Sequence, residues 1–537
     1  MPEGNVKPYS PCREACPAGI NIPKYVRFVR EGKFDEALAV IRESMPFPAV
    51  CGYACVHPCE TNCARKQYDQ PVAIRMLKRA AVEKSDGLWK EKLPPAAATG
   101  SKVAVIGAGP CGLTAAYYLA RKGHQVVVFE ALPEAGGMMR YGIPEYRLPN
   151  AVLDSEIAEI KARGVEIRTG SRVKSLEALF NEGYQAVFVA SGAWLTAKLG
   201  VEGTNSTVVD GIEFLQDVNS GKEVNVGEKV VVVGGGNTAI DAARASIRLG
   251  AKEVVVVYRR TRDEMPAGAQ EIADALEEGV KMEFLAAPVK VAGDKVICVK
   301  MKLGAKDASG RPAPVPVEGS EFDVACRTVI TAIGQKADAA AFGLTGNANG
   351  TIVVDENSMA TSREGVFAAG DVVTGPSSII EAVAQGSKAA VSIDRFLGGD
   401  GETAETLVGE DDPELLPVVT EGFERAFTRT ISYKERLESF GAVEKGYSDA
   451  VAMREAQRCL GCDVREYKVE VDYSACKECG YCKEVCCLSI FKSAEGFNDR
   501  GYKPMKATDS EKCVGCMKCF FVCPDWAISI EKVGGVS

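Results

Sequence analysis

The sequence is poor in histidine, with only His57 and His124 among 537 residues. Histidine is a common metal ligand and the usual side chain for acid or base catalysis near neutral pH, so metal sites built on histidine and histidine-dependent catalysis are nearly excluded. No apolar run is long enough to cross a membrane, and the start, MPEGNVKPYS, lacks the basic and apolar regions of a signal peptide. We therefore expect a cytoplasmic protein that does not enter a membrane.

Basic residues are also in deficit. The chain has 64 Lys and Arg against 73 Asp and Glu, a formal net charge of -9, which gives no electrostatic reason to expect nucleic acid or an anionic membrane surface as a partner. Its 46% hydrophobic and 26% charged residues are typical of globular proteins. The length allows about three or four domains.

Cysteine, in contrast, is abundant. Seventeen of the 20 cysteines lie near the two ends of the chain, and the long middle section contains only Cys111, Cys298 and Cys326. Cys298 and Cys326 stand in strand-like apolar surroundings and are interpreted as core residues. In a reducing compartment, clustered cysteines indicate metal ligands more than disulfides. With so little histidine, iron and sulfide are favoured over zinc.

The most specific signal is a doubled cysteine spacing near the C-terminus. Two runs of the form CxxCxxCxxxC follow each other, and in such pairs three thiolates of one run and the last of the other hold each [4Fe-4S] cube. Zinc is the alternative. The spacing predicts eight ligands: Cys476, Cys479, Cys482, Cys486, Cys513, Cys516, Cys519 and Cys523. These runs resemble those of bacterial two-cluster ferredoxins, and the resemblance implies an α+β ferredoxin domain over residues 466–537.

A second cysteine-rich region lies at the N-terminus, where we expect an all-α domain over residues 1–92. Cys12 and Cys16 precede a segment with helical apolar periodicity. The next cysteines are four residues apart, but Pro58 predicts an interrupted coil, which can wrap a cluster. Buried structural cysteines are the alternative interpretation. The four residues of this run are Cys51, Cys55, Cys59 and Cys63.

The stretch Lys102 to Glu130 predicts a dinucleotide site. It reads as a strand, a glycine turn, an apolar helix and a second strand closed by an acid. The glycines allow a tight turn, a close approach of a diphosphate to the backbone, and close packing of helix and strand, while the acid accepts hydrogen bonds from a ribose. An ordinary glycine turn in a parallel sheet is the alternative. The predicted site residues are Gly107, Gly109, Gly112 and Glu130.

A second fingerprint begins a domain that we place at residues 224–335. Gly234, Gly236 and Ala239 repeat the pattern around Asn237. After the next strand the expected acid is replaced by Arg259 and Arg260, which can neutralise a 2′-phosphate. NADP(H) is therefore favoured over NAD(H). The alternative is that the two arginines only form an exposed charged edge.

Several strings of this sequence resemble one family, which includes the glutamate synthase small subunit, the large subunit of NADH-dependent ferredoxin:NADP oxidoreductase and the N-terminal half of dihydropyrimidine dehydrogenase. The matching strings are CPAGINIP (16–23), CGYACVHPCETNC (51–63), PVAIRMLKRA (71–80), ALPEAGGMMRYGIPEYRLP (131–149) and GVFAAGDVVTGPSSIIEAVAQGSKAAVSI (365–393).

The resemblance implies FAD at the first fingerprint. In that family, residues equivalent to Gly136 and Gly137 approach the diphosphate, and those equivalent to Gly370 and Asp371 contact the ribitol and phosphate, near a helix that contains Gln385. Residues 141–149 would line the flavin ring. The FAD domain would be discontinuous, over residues 101–223 and 336–400, with the nucleotide domain of residues 224–335 inserted in it. Both domains are expected to be Rossmann-like α/β folds.

The resemblance also implies two [4Fe-4S] clusters in the N-terminal domain, making four in the chain. The usual leading cysteine pair is missing before Cys12, and REAQRCLGC at 454–462 is of the same type. We infer that residues 401–465 form a linker and a helix that return Cys459 and Cys462 to Cys12 and Cys63.

The second N-terminal cluster would use Cys16, Cys55 and Cys59. Its fourth ligand in the family is Glu or Gln, but this chain has Lys78 there, which as a cation cannot ligate iron. Cys51 is the available substitute.

These parts predict an iron-sulfur flavoprotein that transfers electrons between NADP(H) and a low-potential one-electron acceptor or a partner subunit. The ferredoxin module resembles the delta subunit of 2-oxoacid:ferredoxin oxidoreductases, over FNDRGYKPMKATDSEKC (497–513) and beyond. The alternative is therefore an NAD(P)-reducing subunit of a 2-oxoacid oxidoreductase or similar complex. Either way we expect a hetero-oligomer, with ferredoxin or an oxidoreductase subunit as partner. A scaffold whose clusters only stabilise the fold would leave both nucleotide fingerprints unexplained.

Overall fold

The N-terminal part of the protein is built from short helices. The computed structural model describes residues 10–92, 97–201, 203, 208–307, 310–403, 405–409, 424–464, 467–486 and 488–532. Proline stands in the first turn of four of the helices, where its fixed φ and missing N–H cost nothing. The helices are α1 (Pro11–Glu14), α2 (Ile22–Arg30), α3 (Phe34–Arg42), α4 (Pro48–Ala54), α5 (Pro58–Thr61) and α6 (Ile74–Lys84).

The next section alternates strands with helices. Its strands are short and rich in valine, and β1 and β4 have almost no exposed position, as is typical of a parallel sheet covered on both faces. The elements are β1 (Lys102–Ile106), α7 (Pro110–Arg121), β2 (Gln125–Phe129), α8 (Met138–Tyr141), α9 (Asn150–Ala162), β3 (Glu166–Arg168), α10 (Leu176–Asn181), β4 (Ala186–Val189) and β5 (Leu195–Thr196).

A second alternating section follows. It repeats the strand, glycine turn and helix of the first section and adds three longer antiparallel strands. The elements are β6 (Val208–Asp210), α11 (Gly211–Asn219), β7 (Lys229–Val233), α12 (Asn237–Arg248), β8 (Glu253–Tyr258), α13 (Ala269–Glu277), β9 (Lys281–Phe284), β10 (Ala286–Ala292), β11 (Lys295–Lys306), β12 (Pro312–Ala325), β13 (Thr328–Thr331) and β14 (Gln335–Lys336).

The remaining elements belong to the return to the first sheet and to the C-terminal cysteine region. They are β15 (Val366–Ala368), α14 (Asp371–Thr374), α15 (Ile379–Phe396), α16 (Tyr433–Glu438), α17 (Asp449–Ala456), β16 (Tyr467–Val471), α18 (Tyr481–Val485), β17 (Phe491–Ser493), β18 (Met505–Ala507), α19 (Lys518–Val522) and β19 (Ile528–Lys532).

Two five-stranded parallel sheets form the centre of the middle region. The first has the order β15-β4-β1-β2-β3 and the second β6-β13-β7-β8-β9, while β10-β11-β12 form a separate antiparallel sheet. The chain leaves the first sheet after β4 and returns to it only at β15, so the second sheet is inserted in the first. The C-terminal region contains two antiparallel pairs, β16 with β19 and β17 with β18.

The chain divides into two compact units. One comprises Met1–Pro94, Ala404–Arg429 and Gly446–Ser537, and the other Pro95–Thr403 and Thr430–Lys445. The linker expected over residues 401–465 is therefore shared between the units, because residues 430–445 pack on the sheets: Arg436 pairs with Glu277 at 2.7 Å and the Val443 N–H donates to the Tyr146 carbonyl at 2.9 Å. Residues 410–423 of that linker, and Cys487, lie outside the described residues. None of the described helices is both long and apolar enough to span a bilayer.

Candidate functional site

Of the three glycines at the turn between β1 and α7, only Gly109 has room for a side chain. Gly107 has a φ of +105°, and a Cβ on it would lie 2.4 Å from the Ala190 carbonyl oxygen. A Cβ on Gly112 would lie 2.1 Å from the Gly107 carbonyl oxygen. Gly109 instead has an ordinary φ of -80° and open space beside it. This open side, at the N-terminus of α7, is where a diphosphate can approach the backbone.

Glu130 lies directly after β2 and faces the same turn. Its buried carboxylate accepts hydrogen bonds from the N–H of Ala108 and of Leu132, both at 2.8 Å and each on a different oxygen. Since a carboxylate oxygen can accept more than one hydrogen bond, both oxygens retain acceptor capacity for ribose hydroxyls.

Two further predicted glycines pack on this turn. The Gly136 N–H donates to the Ala108 carbonyl at 2.8 Å, and a Cβ on Gly137 would lie 2.7 Å from the Cα of Gly109. The backbone of residues 136–137 therefore closes one side of the space next to Gly109.

The remaining predicted residues of the first site come from the return of the chain. The Gly370 N–H donates to the side-chain oxygen of Gln385 at 2.8 Å, and a Cβ on Gly370 would lie 3.0 Å from that of Cys111 on α7. Burial raises the pKa of Asp371, although the N–H and hydroxyl of Ser377 both donate to its carboxylate. Three remote stretches thus meet at one end of the first sheet, in an arrangement that fits a dinucleotide with a diphosphate.

The second turn, between β7 and α12, has the same form. Gly234 has a φ of +148°, and a Cβ on it would lie 2.3 Å from the Ala332 carbonyl oxygen. Gly236 is open, with its nearest neighbour, Pro266, 3.9 Å from the position of a Cβ. Asn237 begins α12 and accepts a hydrogen bond from the Gly268 N–H at 3.1 Å, while Ala239 is buried against the turn.

The two arginines after β8 differ in burial. Only one of them is accessible for the contact with a 2′-phosphate that the sequence predicted for both. Arg260 is 2% exposed, pairs with Asp307 at 2.5 Å and donates to the Pro312 carbonyl at 2.7 Å. The guanidinium of Arg260 is therefore buried and bonded to partners within the protein. The structure does not support its predicted contact with a 2′-phosphate. Arg259 is exposed and remains the candidate for that contact.

The segment expected to line the flavin ring, residues 141–149, divides into two parts. The ring of Tyr141 packs edge-on against Trp194, with centroids 6.2 Å apart. Tyr146 instead turns to the inserted sheet, where its hydroxyl donates to the Asp241 carbonyl at 3.2 Å. Only the first part stays with the first sheet.

Four cysteines that are far apart in sequence come together in the helical region. Burial is the largest of the effects that raise the pKa of Cys462. The neighbouring thiols of Cys12, Cys459 and Cys63 raise this pKa further. Burial likewise raises the pKa of Cys12, and the thiols of Cys459, Cys63 and Cys59 raise it further. The structure thus brings the pair at 459–462 to Cys12 and Cys63.

Buried ion pairs hold the returning segment in place. The Arg458 guanidinium donates to Asp69 and to Glu455, at 2.8 and 2.9 Å. Arg27 donates to both carboxylate oxygens of Asp463 at 2.8 Å. These residues were not predicted, although the position of Arg458 directly before Cys459 was a usable signal.

A second group of thiols lies beside a lysine. Burial acts to lower the pKa of the Lys78 ammonium, but the nearby thiols of Cys55, Cys51, Cys16 and Cys59, in that order, outweigh burial and raise it. The thiol of Cys55 is hydrogen-bonded to Cys51. All four cysteines expected at this place, including Cys51, are therefore close to one buried cation.

The C-terminal cysteines form two interleaved groups. Cys476, Cys479, Cys482 and Cys523 line one small pocket. Burial, together with the neighbouring thiols of Cys516, Cys513 and Cys486, raises the pKa of Cys519 to about 12. The last cysteine of each run thus joins the first three of the other run. Over the described residues, no three His, Cys, Asp or Glu side chains are positioned to hold a single metal ion.

Asn498 is a residue of this region whose contacts were not predicted. Its side-chain amide donates to the carbonyls of Tyr473 and Cys476, at 2.7 and 2.8 Å, and its oxygen accepts from the N–H of Tyr502 at 3.0 Å. It therefore ties the insert between the cysteine runs to the first run. N–H groups also point at sulfur, as from Met505 to Cys476 at 3.4 Å.

Comparison with known proteins gives two family matches. Residues 101–386 match pyridine nucleotide-disulphide oxidoreductase, and residues 7–87 match dihydropyrimidine dehydrogenase domain II, 4Fe-4S cluster. The first match covers the two parallel sheets, and the second the helical region.

Curated relatives extend over most of the chain. The NADP(+)-dependent formate dehydrogenase subunit beta of Moorella thermoacetica is 42% identical, over 85% of this chain and 71% of the relative. The NADPH-Fe(3+) oxidoreductase subunit beta of Geobacter sulfurreducens is 40% identical, over 84% and 75%. The glutamate synthase [NADPH] small chain of Azospirillum brasilense is 34% identical, over 74% and 89%. The chain therefore belongs to the pyridine nucleotide-disulphide oxidoreductase family, in the group that joins this nucleotide-binding fold to an N-terminal [4Fe-4S] domain.

Proposed function

We propose that this oxidoreductase is an electron-transfer subunit that connects NADP(H) to one-electron carriers through FAD and four [4Fe-4S] clusters. The observation that carries the proposal is the combination of two dinucleotide turns in one compact unit with four groups of four cysteines in the other. Such a combination matches a two-electron donor to one-electron acceptors.

The proposed binding residues follow from the contacts described above. FAD would be held by Gly107, Gly109, Gly112, Glu130, Gly136, Gly137, Gly370, Asp371 and Gln385, and NADP(H) by Gly234, Gly236, Asn237, Ala239 and Arg259. A bound flavin accepts electrons in pairs from a nicotinamide and releases them singly. Hydride transfer needs no acid or base from the protein, which is consistent with the scarcity of histidine. The backbone groups around Gly109 would bind and orient FAD, and those around Gly236 would bind and orient NADP(H). The buried sheets exclude water.

The contacts within the cysteine-bearing unit support an order for the clusters. Cys462 shares a small buried apolar cluster with Ala64, Leu460 and Val514, and Cys516 packs against it. Because electron tunnelling slows steeply with distance, we infer that the N-terminal group of Cys12, Cys63, Cys459 and Cys462 exchanges electrons with the ferredoxin group of Cys486, Cys513, Cys516 and Cys519.

We then propose that the other ferredoxin group, formed by Cys476, Cys479, Cys482 and Cys523, exchanges electrons with the partner. We call this group the port. Among its ligands, Cys479 is exposed. Several aromatic residues of the same domain are also exposed, among them Phe521 at 74% and Trp526 at 68%. Aromatic side chains are enriched where proteins associate.

We propose a hetero-oligomer because two of the relatives are themselves named as beta subunits. A 2-oxoacid oxidoreductase as the partner, and a cytoplasmic location, stay predictions. The first is supported by the FNDRGYKP string and the second by the clustering of the cysteines, which is typical of metal sites in a reducing compartment.

The function is tested on the full chain purified without oxygen. We expect FAD, iron for four cubes per chain, cubane electron paramagnetic resonance (EPR) signals after reduction, and NADPH-dependent reduction of a viologen. Protein without flavin, or without cubane signals, contradicts the proposal.

The proposed port is tested with Cys479→Ala. We expect viologen reduction to fall at least tenfold, while NADPH oxidation by a quinone that takes electrons directly from flavin stays unchanged. Cys326→Ala, which removes a buried thiol outside the four groups, is the matched control. If viologen reduction persists in a Cys479→Ala protein that has lost one cubane signal, the port is elsewhere.

A further inference from the structure

Lys78 is a lysine inside the N-terminal helical region, on α6. It is 4% exposed. An ammonium group removed from water is unfavourable unless anionic partners compensate it. The groups with the largest electrostatic effect on Lys78, apart from burial itself, are thiols: Cys55, Cys51, Cys16 and Cys59. The buried lysine therefore lies among the four thiols that the proposed cluster would use.

The lysine and Cys51 are held together by the packing of α4 on α6. A Cβ on Gly52, next to Cys51, would lie 3.0 Å from the Cα of Arg79, next to Lys78. Arg75 of α6 donates to the carbonyls of Gly52 and Tyr53 at the end of α4, at 3.1 and 3.0 Å. The backbone around Cys51 therefore cannot move away from Lys78 without breaking these contacts.

The loop after α4 places the other thiols. Cys55 is extended, and His57 adopts a left-handed conformation with a φ of +40°, which is unusual for a residue other than glycine. This conformation points the His57 N–H at the sulfur of Cys55, 3.3 Å away. N–H donors of this kind stabilise sulfur that carries negative charge.

Cys51 is as closely associated with this site as the other three cysteines. Its side chain is 0% exposed and is hydrogen-bonded to that of Cys55. A [4Fe-4S] cube takes four protein ligands. The other thiols of the helical region, Cys12 and Cys63, are next to Cys459 and Cys462.

We propose that Cys51 is the fourth ligand of the cluster held by Cys16, Cys55 and Cys59, and that Lys78 is a cation that compensates this cluster without ligating it. Ligation by four thiolates makes the cluster more negative than ligation by three thiolates and a neutral group. The fixed positive charge of Lys78 opposes this and favours the reduced state, which carries one more electron. Lys78 is therefore a positioning and tuning residue.

The ligand assignment is tested by iron content and EPR of the anaerobically purified full chain. We expect Cys51→Ala to lose one cube, a quarter of the iron, while keeping its FAD. Cys298→Ala, which removes an equally buried thiol outside the cysteine groups, should keep all of its iron. In the double variant Cys51→Ala and Lys78→Glu, a carboxylate replaces the ammonium beside the three remaining thiols, and the fourth cubane signal should return.

The role of Lys78 is tested by redox titration of the cubane signals. Lys78→Met should lower the midpoint potential of one cluster and leave the other three unchanged, whereas Lys78→Arg should keep the potential. Unchanged potentials in Lys78→Met would overturn the tuning role.

The inference rests on the proposed function, and the two fail differently. Wild-type protein without cubane clusters would contradict the function itself. Wild-type protein with four clusters, together with a Cys51→Ala variant that keeps all four, would overturn only the assignment of Cys51.

Discussion

Arg147 and Asp241 form an ion pair of 2.7 Å between the two nucleotide-binding sections of the chain. Arg147 lies between α8 and α9 of the first section, and Asp241 on α12 of the inserted section. The side chains are 14% and 4% exposed, and Arg147 also contacts Glu271 at 3.0 Å. The segment expected at the flavin thus also attaches one nucleotide section to the other.

Removing this arginine should destabilise the protein. In Arg147→Met the Asp241 carboxylate stays buried without its partner, and losing one member of a buried pair costs about 3 to 5 kcal/mol. Urea unfolding of the full chain measures the loss. Arg168→Met, which breaks an exposed pair with Glu166, is the control and should have little effect. Equal effects of the two variants would show that burial does not matter here.

The environment of the Glu278 carboxyl group predicts that the stability of the folded protein depends on pH. Burial acts to raise the pKa of its carboxyl, but Arg248 and Arg244 outweigh burial, and the pKa is lowered in the folded protein. The unfolded chain therefore binds a proton at higher pH than the folded one. The stabilisation is complete above the usual Glu pKa of about 4.3 and is lost as the pH falls below it.

The measurement is the unfolding midpoint from pH 7 down to about pH 3. We expect Glu278→Gln to be less stable than wild type at pH 7, by about 3 to 5 kcal/mol, because two arginines remain buried without the charge. The difference should hold down to about pH 4.3 and shrink below it. A constant difference would contradict the pKa shift.

A substitution at Gly109 distinguishes an effect on cofactor binding from an effect on folding. Since the space beside it is open, Gly109→Ala should fold normally, yet its methyl group should occupy the approach of the diphosphate. We expect FAD affinity to fall about tenfold or more, ~1.4 kcal/mol. Equilibrium dialysis with FAD measures this. Gly112→Ala is the contrasting variant: its Cβ meets the Gly107 carbonyl oxygen, so the fold itself should be destabilised.

The exposed position of Arg259 predicts that the protein prefers NADPH to NADH. A hydrogen bond from a charged group contributes about 1.5 to 3 kcal/mol, so Arg259→Ala should raise KM for NADPH roughly tenfold to a hundredfold and leave KM for NADH unchanged. Steady-state kinetics with both nucleotides measures the ratio. Arg260→Ala should reduce stability through the loss of its Asp307 contact without changing the ratio. A change of preference in Arg260→Ala instead would reverse the two roles.

Local features of the fold were accessible from sequence because they depend on neighbours in the chain. The strand and helix expected around Gly107 are present as β1 and α7, and Pro58 does interrupt the helix of the four cysteines. The order of the parallel strands and the packing of residues 430–445 were not accessible, since they depend on contacts between remote segments.

By itself, the sequence determined the chemistry of this protein: two glycine turns with the spacing for dinucleotides, cysteine runs with the spacing for iron-sulfur cubes, and too little histidine for metal sites built on histidine or for histidine-dependent acid and base catalysis. Only the tertiary structure decided which groups act together. It paired Arg260 with Asp307 and Arg147 with Asp241, and it joined Arg458 of the returning segment to Asp69. Turn geometry and cysteine spacing are set within a few residues, whereas the partner of a buried charge or thiol is set by which distant segments share the same core.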